Sequence, residues 1–177
     1  LYGKTLGIIG MGRIGRAVAK RALVSGMKIL YHNRKPLEES IEQSVQATYV
    51  SLHELLAKSD VISIHTPLTD ETSHLIGRNE LEKIKPSAYL INTSRGAVID
   101  EKALVDCLKE GKIAGAGLDV FEHEPVITPE LLDMDQVVLL PHIGTEALES
   151  RTEMAQSASQ SIMEYFAGEK PVYTVNP

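Results

Sequence analysis

The segment Thr5-Leu-Gly-Ile-Ile-Gly10-Met-Gly12-Arg-Ile-Gly15 constrains the fold of this chain more than any other stretch. Leu6, Ile8 and Ile9 form a short apolar run that reads as a buried strand. Gly10, Gly12 and Gly15 follow in the order G-x-G-x-x-G, and a helical pattern starts at Arg13. Between a strand and a helix, each glycine serves a distinct physical purpose. Gly10 makes the sharp turn, Gly12 lets backbone approach a pyrophosphate, and Gly15 lets the helix pack closely on the strand. The phosphates of a nucleotide would then lie on the unsatisfied N–H groups of Arg13, Ile14 and Gly15, at the positive end of the helix. An ordinary tight strand-to-helix turn uses the same glycines, so the surrounding sequence has to decide.

That context is a βαβ unit. Ile14, Ala17, Val18 and Ala22 recur at helical spacing, Gly26 reads as a helix stop, and residues 27–31 read as a second strand. An NAD-binding unit carries an acid about 20 residues beyond the glycines to hold the ribose hydroxyls. Here the strand ends in His32-Asn33-Arg34-Lys35, with no acid. Asn33 removes the repulsion toward a 2′-phosphate, and Arg34 and Lys35 add cations. The expected cofactor is therefore NADP(H), with NAD(H) the alternative.

Beyond a polar connection, strands are expected at residues 47–50, 61–65, 88–92, 113–118 and 137–140. Helices are expected from a capping box at Ser51 to Lys58, over 80–85 before Pro86, and over 101–110 behind an Asp100 cap. A short one follows over 129–132, and a capped one of about 20 residues runs over 145–166 to a stop at Gly168. Residues 171–177 read as an extended tail. This alternation, without repeats or a linker, implies an α/β fold of Rossmann type: a doubly wound, mostly parallel sheet of about seven strands with helices on both faces. Ligands of such sheets bind at the carboxyl ends of strands. Those ends carry Thr66-Pro67-Leu68-Thr69, Thr93-Ser94-Arg95-Gly96, Asp119 to Pro125, and Pro141-His142-Ile143-Gly144. His65, at a strand end beside Pro67, reads as structural, and Cys107 as a small core residue on a face with Ala103, Leu104 and Leu108.

A net charge of −6 disfavours nucleic acid as a partner, and no apolar run approaches the length of a membrane span. A single cysteine excludes an intrachain disulfide framework and fits a reducing cytoplasm. The sequence offers no metal-ligand cluster. A chain that opens on Leu1 and enters a core strand within a few residues reads as a fragment of a longer protein.

Five motifs, Leu6 to Gly15, His65-Thr-Pro-Leu-Thr69, Asn92-Thr-Ser-Arg-Gly96, Gly117-Leu-Asp-Val-Phe-Glu-His-Glu-Pro125 and Pro141-His-Ile-Gly144, together resemble the D-isomer-specific 2-hydroxyacid dehydrogenases. The resemblance covers nearly the whole chain. It implies that residues 1–177 are the coenzyme-binding domain with the C-terminal helix and tail at about 145–177, and that the N-terminal substrate domain is absent. Carried over by motif, Arg95 anchors the substrate's carboxylate and carbonyl, His142 is the acid/base, Glu124 is its partner, and Asp119 holds the nicotinamide carboxamide. Thr66, Pro67, Thr72, Thr93, Ser94 and Gly144 complete the cofactor contacts expected beside the glycines, Asn33, Arg34 and Lys35. Reducing a 2-oxo acid by hydride creates an alkoxide, which needs a proton donor within hydrogen-bond reach. A neighbouring carboxylate favours the protonated imidazole, and an arginine orients the carbonyl and stabilises developing negative charge.

The Asn33-Arg34 pattern resembles the glyoxylate/hydroxypyruvate reductase branch, whose implied substrate is a small 2-oxo acid. Family resemblance also implies a homodimer. Two other classes use the same glycine turn: NAD(P)-sensing corepressor-like binding modules, and, more remotely, S-adenosylmethionine-dependent methyltransferases.

Overall fold

A computed structural model describes residues 1–172, which form two units, Leu1–Pro141 and the segment beginning at His142. Residues 173–177 of the expected tail lie outside the described residues. The first unit holds seven strands: β1 Thr5–Ile9, β2 Lys28–His32, β3 Ala47–Tyr49, β4 Val61–Ile64, β5 Tyr89–Asn92, β6 Gly115–Leu118 and β7 Val137–Leu139. They form one sheet in the order β3-β2-β1-β4-β5-β6-β7, with every pair parallel. The order reverses between β1 and β4, which makes their carboxyl ends the crevice where a doubly wound sheet takes its ligand.

Alternation along β1 explains why the sheet is covered on both faces. Leu6 and Ile8 enter one core cluster with Ala19, Ala22 and Tyr31, whereas Ile9 enters a second with Leu55, Ile64, Leu90 and Leu104. The helices α1 Arg13–Val24 and α2 Glu39–Ser44 lie by the first cluster, and α3 Leu52–Lys58, α4 Arg78–Leu81 and α5 Glu101–Lys109 by the second. The short α6 Pro129–Leu132 precedes β7.

Several sequence expectations need correction. On α1 the buried residues are Gly15, Ala19 and Ala22, and Ile14 is 66% exposed, because small side chains bring the helix close to the sheet. The polar connection after β2 contains α2, whose Glu42 accepts from the buried Tyr31 hydroxyl; that hydroxyl accepts in turn from Leu37 N–H at 2.8 Å. Burial, reinforced by Glu42, pushes the Tyr31 phenol up to about 12.

The helix expected over 80–85 is instead α4. Glu80 caps the Gly77 N–H at 3.3 Å and starts the helix early, while Pro86 disfavours helical backbone just before it. Asp100 and Ser51 do cap their helices, accepting from Ala103 N–H and Glu54 N–H. The first two residues of the expected sixth strand precede β6, although Ile113 is buried.

The second unit contains α7, Leu148–Phe166, which starts later than expected and has no side-chain cap. A turn closed by Glu146 N–H on Ile143 C=O at 3.0 Å precedes it, and Glu146 pairs with Arg151 on the helix. Gly168, at φ 77°, follows the end of this helix, as expected.

Candidate functional site: a dinucleotide cleft at the carboxyl edge

The glycine turn stands at the topological switch. Gly10 has φ 97°, and a Cβ there would fall 2.7 Å from His65 C and 2.8 Å from Thr66 N, so backbone after β1 and backbone after β4 touch through this residue. A Cβ on Gly15 would fall 2.4 Å from Gly10 O, which is the close helix approach the motif requires. A Cβ on Gly12 meets nothing within 4 Å, leaving an open cradle at the start of α1. The first bond of that helix is Arg16 N–H to Gly12 C=O at 3.0 Å, so the N–H groups of Arg13, Ile14 and Gly15 precede the intrahelical ladder. Among the described residues the Thr66 hydroxyl is a buried polar atom with no hydrogen-bond partner. A cradle without side chains, a helix N-terminus and an orphaned hydroxyl beside Gly10 fit the pyrophosphate of a dinucleotide.

At the end of β2, Asn33 Oδ1 accepts the Met11 N–H at 2.7 Å, and Tyr49 donates to the Asn33 carbonyl at 3.2 Å. The side chain that replaces the usual acid therefore also braces the glycine turn. Because its oxygen faces Met11, its NH₂ end is a donor, which suits an acceptor-only phosphate better than a ribose hydroxyl needing an acceptor. Arg34 is exposed and pairs with Glu71 at 2.9 Å, and Lys35 is exposed beside it. In the loop after β4, the Thr72 hydroxyl donates to Pro67 C=O at 2.7 Å and accepts Thr69 N–H at 2.8 Å, so it shapes the loop that carries Thr66 and Pro67. His65 contacts Ser63 Oγ at 2.9 Å, and burial pushes its imidazole below the usual range, in keeping with a structural role.

The next strand ends are tied together by Asn92, which is 1% exposed. Its Oδ1 accepts from Ser94 N–H at 3.0 Å and Ser94 Oγ at 2.9 Å, its Nδ2 donates to Arg95 C=O at 2.9 Å, and its own carbonyl accepts Asp119 N–H at 3.0 Å. The buried side-chain amide thus sets the backbone around Arg95, and the backbone carbonyl of the same residue joins it to the start of the acidic loop. Arg95 is exposed, its guanidinium donating to Ser94 C=O at 2.6 Å, and Thr93 is exposed. Asp119 is 5% exposed, and Glu124, exposed, accepts Phe121 N–H at 3.0 Å. Sequence reasoning missed Asn92 as a supporting residue; the signal was a polar side chain closing the apolar run Tyr89-Leu-Ile. The acidic loop starts inside the fold, with Asp119, Val120 and Phe121 all buried.

His142 and Gly144 open the second unit. His142 has a left-handed backbone, φ 56°, and an exposed side chain. No group of three or more His, Cys, Asp or Glu among the described residues could hold a metal ion.

Switch point, glycine cradle and strand-end loops define a dinucleotide-binding α/β domain. A model of the family described as "D-isomer specific 2-hydroxyacid dehydrogenase, NAD binding domain" matches residues 1–144. The glyoxylate reductase of Thermococcus litoralis is 53% identical over 176 residues, covering 99% of this chain and 53% of that protein. A solved glyoxylate reductase from Paecilomyes thermophila superposes with TM-score 0.94 at 47% identity, over 99% of this chain and 53% of that one. An NADPH-dependent glyoxylate/hydroxypyruvate reductase from Sinorhizobium meliloti, solved in complex with NADP and malonate, gives TM-score 0.93 at 36% identity over 99% and 54%. The chain belongs to the D-isomer specific 2-hydroxyacid dehydrogenases. It carries their NAD binding domain and spans about half the length of the curated relatives it matches.

Proposed function

We propose that the protein reduces a small 2-oxo acid of the glyoxylate or hydroxypyruvate type to its D-2-hydroxy acid, with NADPH as hydride donor. The observation that carries this reading is the Asn92 brace, which holds Arg95 and Asp119 on neighbouring strand ends beside a cradle that fits a dinucleotide. The names and the solved complex of the relatives point to the same substrate class.

When bound, the nicotinamide supplies a hydride to the substrate's carbonyl carbon. The chain's own residues do the rest. Arg95 orients the 2-oxo acid through its carboxylate and carbonyl and offsets the charge that develops on oxygen. His142 gives its proton to the resulting alkoxide, and Glu124 favours the protonated imidazole that this requires. Asp119 would hold the nicotinamide carboxamide. Gly10, Gly12, Arg13, Ile14, Gly15 and Thr66 hold the pyrophosphate, and Pro67, Thr72, Thr93, Ser94 and Gly144 line its path.

The donor end of Asn33, with Arg34 and Lys35, selects the 2′-phosphate of NADPH. Residues beyond this chain complete the substrate side of the cleft, and two copies of the protein pair through their coenzyme domains. Turnover of glyoxylate and hydroxypyruvate by the full-length protein, followed by loss of NADPH or NADH absorbance, tests the reading. Absence of turnover with any 2-oxo acid, together with cofactor-dependent capture of a protein partner, would favour a corepressor-like module instead.

A further inference from the structure

We propose that Glu101 is a positioning residue for the loop that presents Glu124, which rests on Glu124 being the partner of the acid/base. As the first residue of α5, an acid is expected in solvent, favoured there by the helix dipole. Asp100 already caps the helix. Glu101 is nevertheless only 6% exposed, and its carboxylate is turned away from its own helix toward the loop 122–128.

Glu101 Oε2 accepts Glu122 N–H at 2.9 Å, and Oε1 accepts Thr128 N–H at 3.3 Å as well as the Thr128 hydroxyl. One buried carboxylate therefore grips both ends of the loop. Glu122 returns the contact: its Oε2 accepts Glu101 N–H at 3.2 Å, while its Oε1 meets His74 Nε2 at 2.7 Å. The backbone N–H of His74 donates to Ala97 C=O at 2.8 Å, two residues from Arg95. Within the loop, Val126 N–H closes on His123 C=O at 2.9 Å, so the gripped segment is a compact turn with Glu124 inside it.

Gly96 seats the entrance of this turn. A Cβ there would lie 1.9 Å from Phe121 C and 2.4 Å from Glu122 N, so the backbone beside Arg95 and the backbone leading to Glu124 are in direct contact. The clasp sets where Glu124 stands relative to Arg95. Misplacing a group that must meet a reacting geometry by about 1 Å costs rate by up to about a hundredfold, without any change in cofactor contacts made elsewhere.

The test is a double-mutant cycle in the full-length protein, with Glu101→Gln, Glu124→Gln and the pair. Turnover of glyoxylate, NADPH affinity, and amide hydrogen exchange at Glu122 and Thr128 are read for each. The expected results are faster exchange at those two amides, a kcat lower by about tenfold in E101Q with NADPH affinity unchanged, and little further loss when E101Q is added to E124Q. Thr128→Val, which keeps the backbone contact, should move kcat in the same direction by less. Fully additive losses would overturn the proposal, as would a fall in kcat matched by an equal fall in NADPH-binding sites. If E124Q lowers kcat and E101Q does not, the clasp alone is wrong; if E124Q leaves kcat intact, the assignment of Glu124 fails and the clasp's role with it.

Discussion

Replacing Asn33 by aspartate separates its bond to Met11 from the 2′-phosphate contact proposed for its other end. The Met11 N–H bond at 2.7 Å needs only an acceptor, so an aspartate keeps it and the glycine turn stays braced. The other end changes from an NH₂ donor to a carboxylate oxygen. Against the 2′-phosphate of NADPH this removes a hydrogen bond to a charged group, about 1.5–3 kcal/mol. It also adds a like charge, about 1 kcal/mol across a partly exposed, screened gap.

A total near 3 kcal/mol corresponds to about a hundredfold weaker NADPH binding. NADH has a ribose hydroxyl at that place, which gains an acceptor, and a bond of about 1 kcal/mol tightens it by about fivefold. Titrating this chain and its N33D variant with each reduced cofactor, followed by nicotinamide fluorescence, reads both numbers. If NADPH affinity is unchanged, or both cofactors weaken alike, Asn33 does not face the 2′-position.

Two further substitutions probe the cleft and the sheet beneath it. Gly12→Val should leave the melting temperature of the apo chain nearly unchanged, since a Cβ at Gly12 meets no protein atom within 4 Å, yet abolish dinucleotide binding; retained binding would show that the phosphates lie elsewhere. Asp60 pairs with Lys85 at 2.8 Å and accepts Thr5 N–H at 2.8 Å, and these contacts, Lys85 first, hold its carboxyl below the ordinary carboxylate range. A lowered folded-state pKa means that the stabilisation is present above the unfolded value and is lost as pH falls through the folded one. Asp60→Asn should therefore cost about 1 kcal/mol in urea unfolding at neutral pH. The gap to wild type should close in strong acid, and a gap that persists there would assign the cost to something other than the charge.

What the sequence revealed depended on how local the cause was. Gly10, Gly12 and Gly15 announce the cleft because a turn, an open approach and a close helix contact are all set within a few residues. The strand ends were legible for the same reason, as each apolar run stops within a residue or two of where β-pairing stops. Ile14 misled because spacing alone cannot tell the face that needs small residues from the one that tolerates large ones; Gly15, Ala19 and Ala22 take the sheet side. The polar helix α2 has no buried residue and hence no apolar period to read, and its side-chain link to the core is the tertiary contact of Glu42 with Tyr31. Glu101 was equally hidden, since an acid at the start of a helix has a local explanation, and its grip on Glu122 and Thr128 appears only once the loop folds back.

Hydride transfer to a 2-oxo acid with His142 supplying the proton is tested most directly by His142→Ala in the full-length protein. Single-turnover oxidation of NADPH by glyoxylate should slow by about a hundredfold or more, with NADPH affinity unchanged, because the cradle at Gly10, Gly12 and Thr66 is intact. Undiminished turnover in that variant would contradict the assignment.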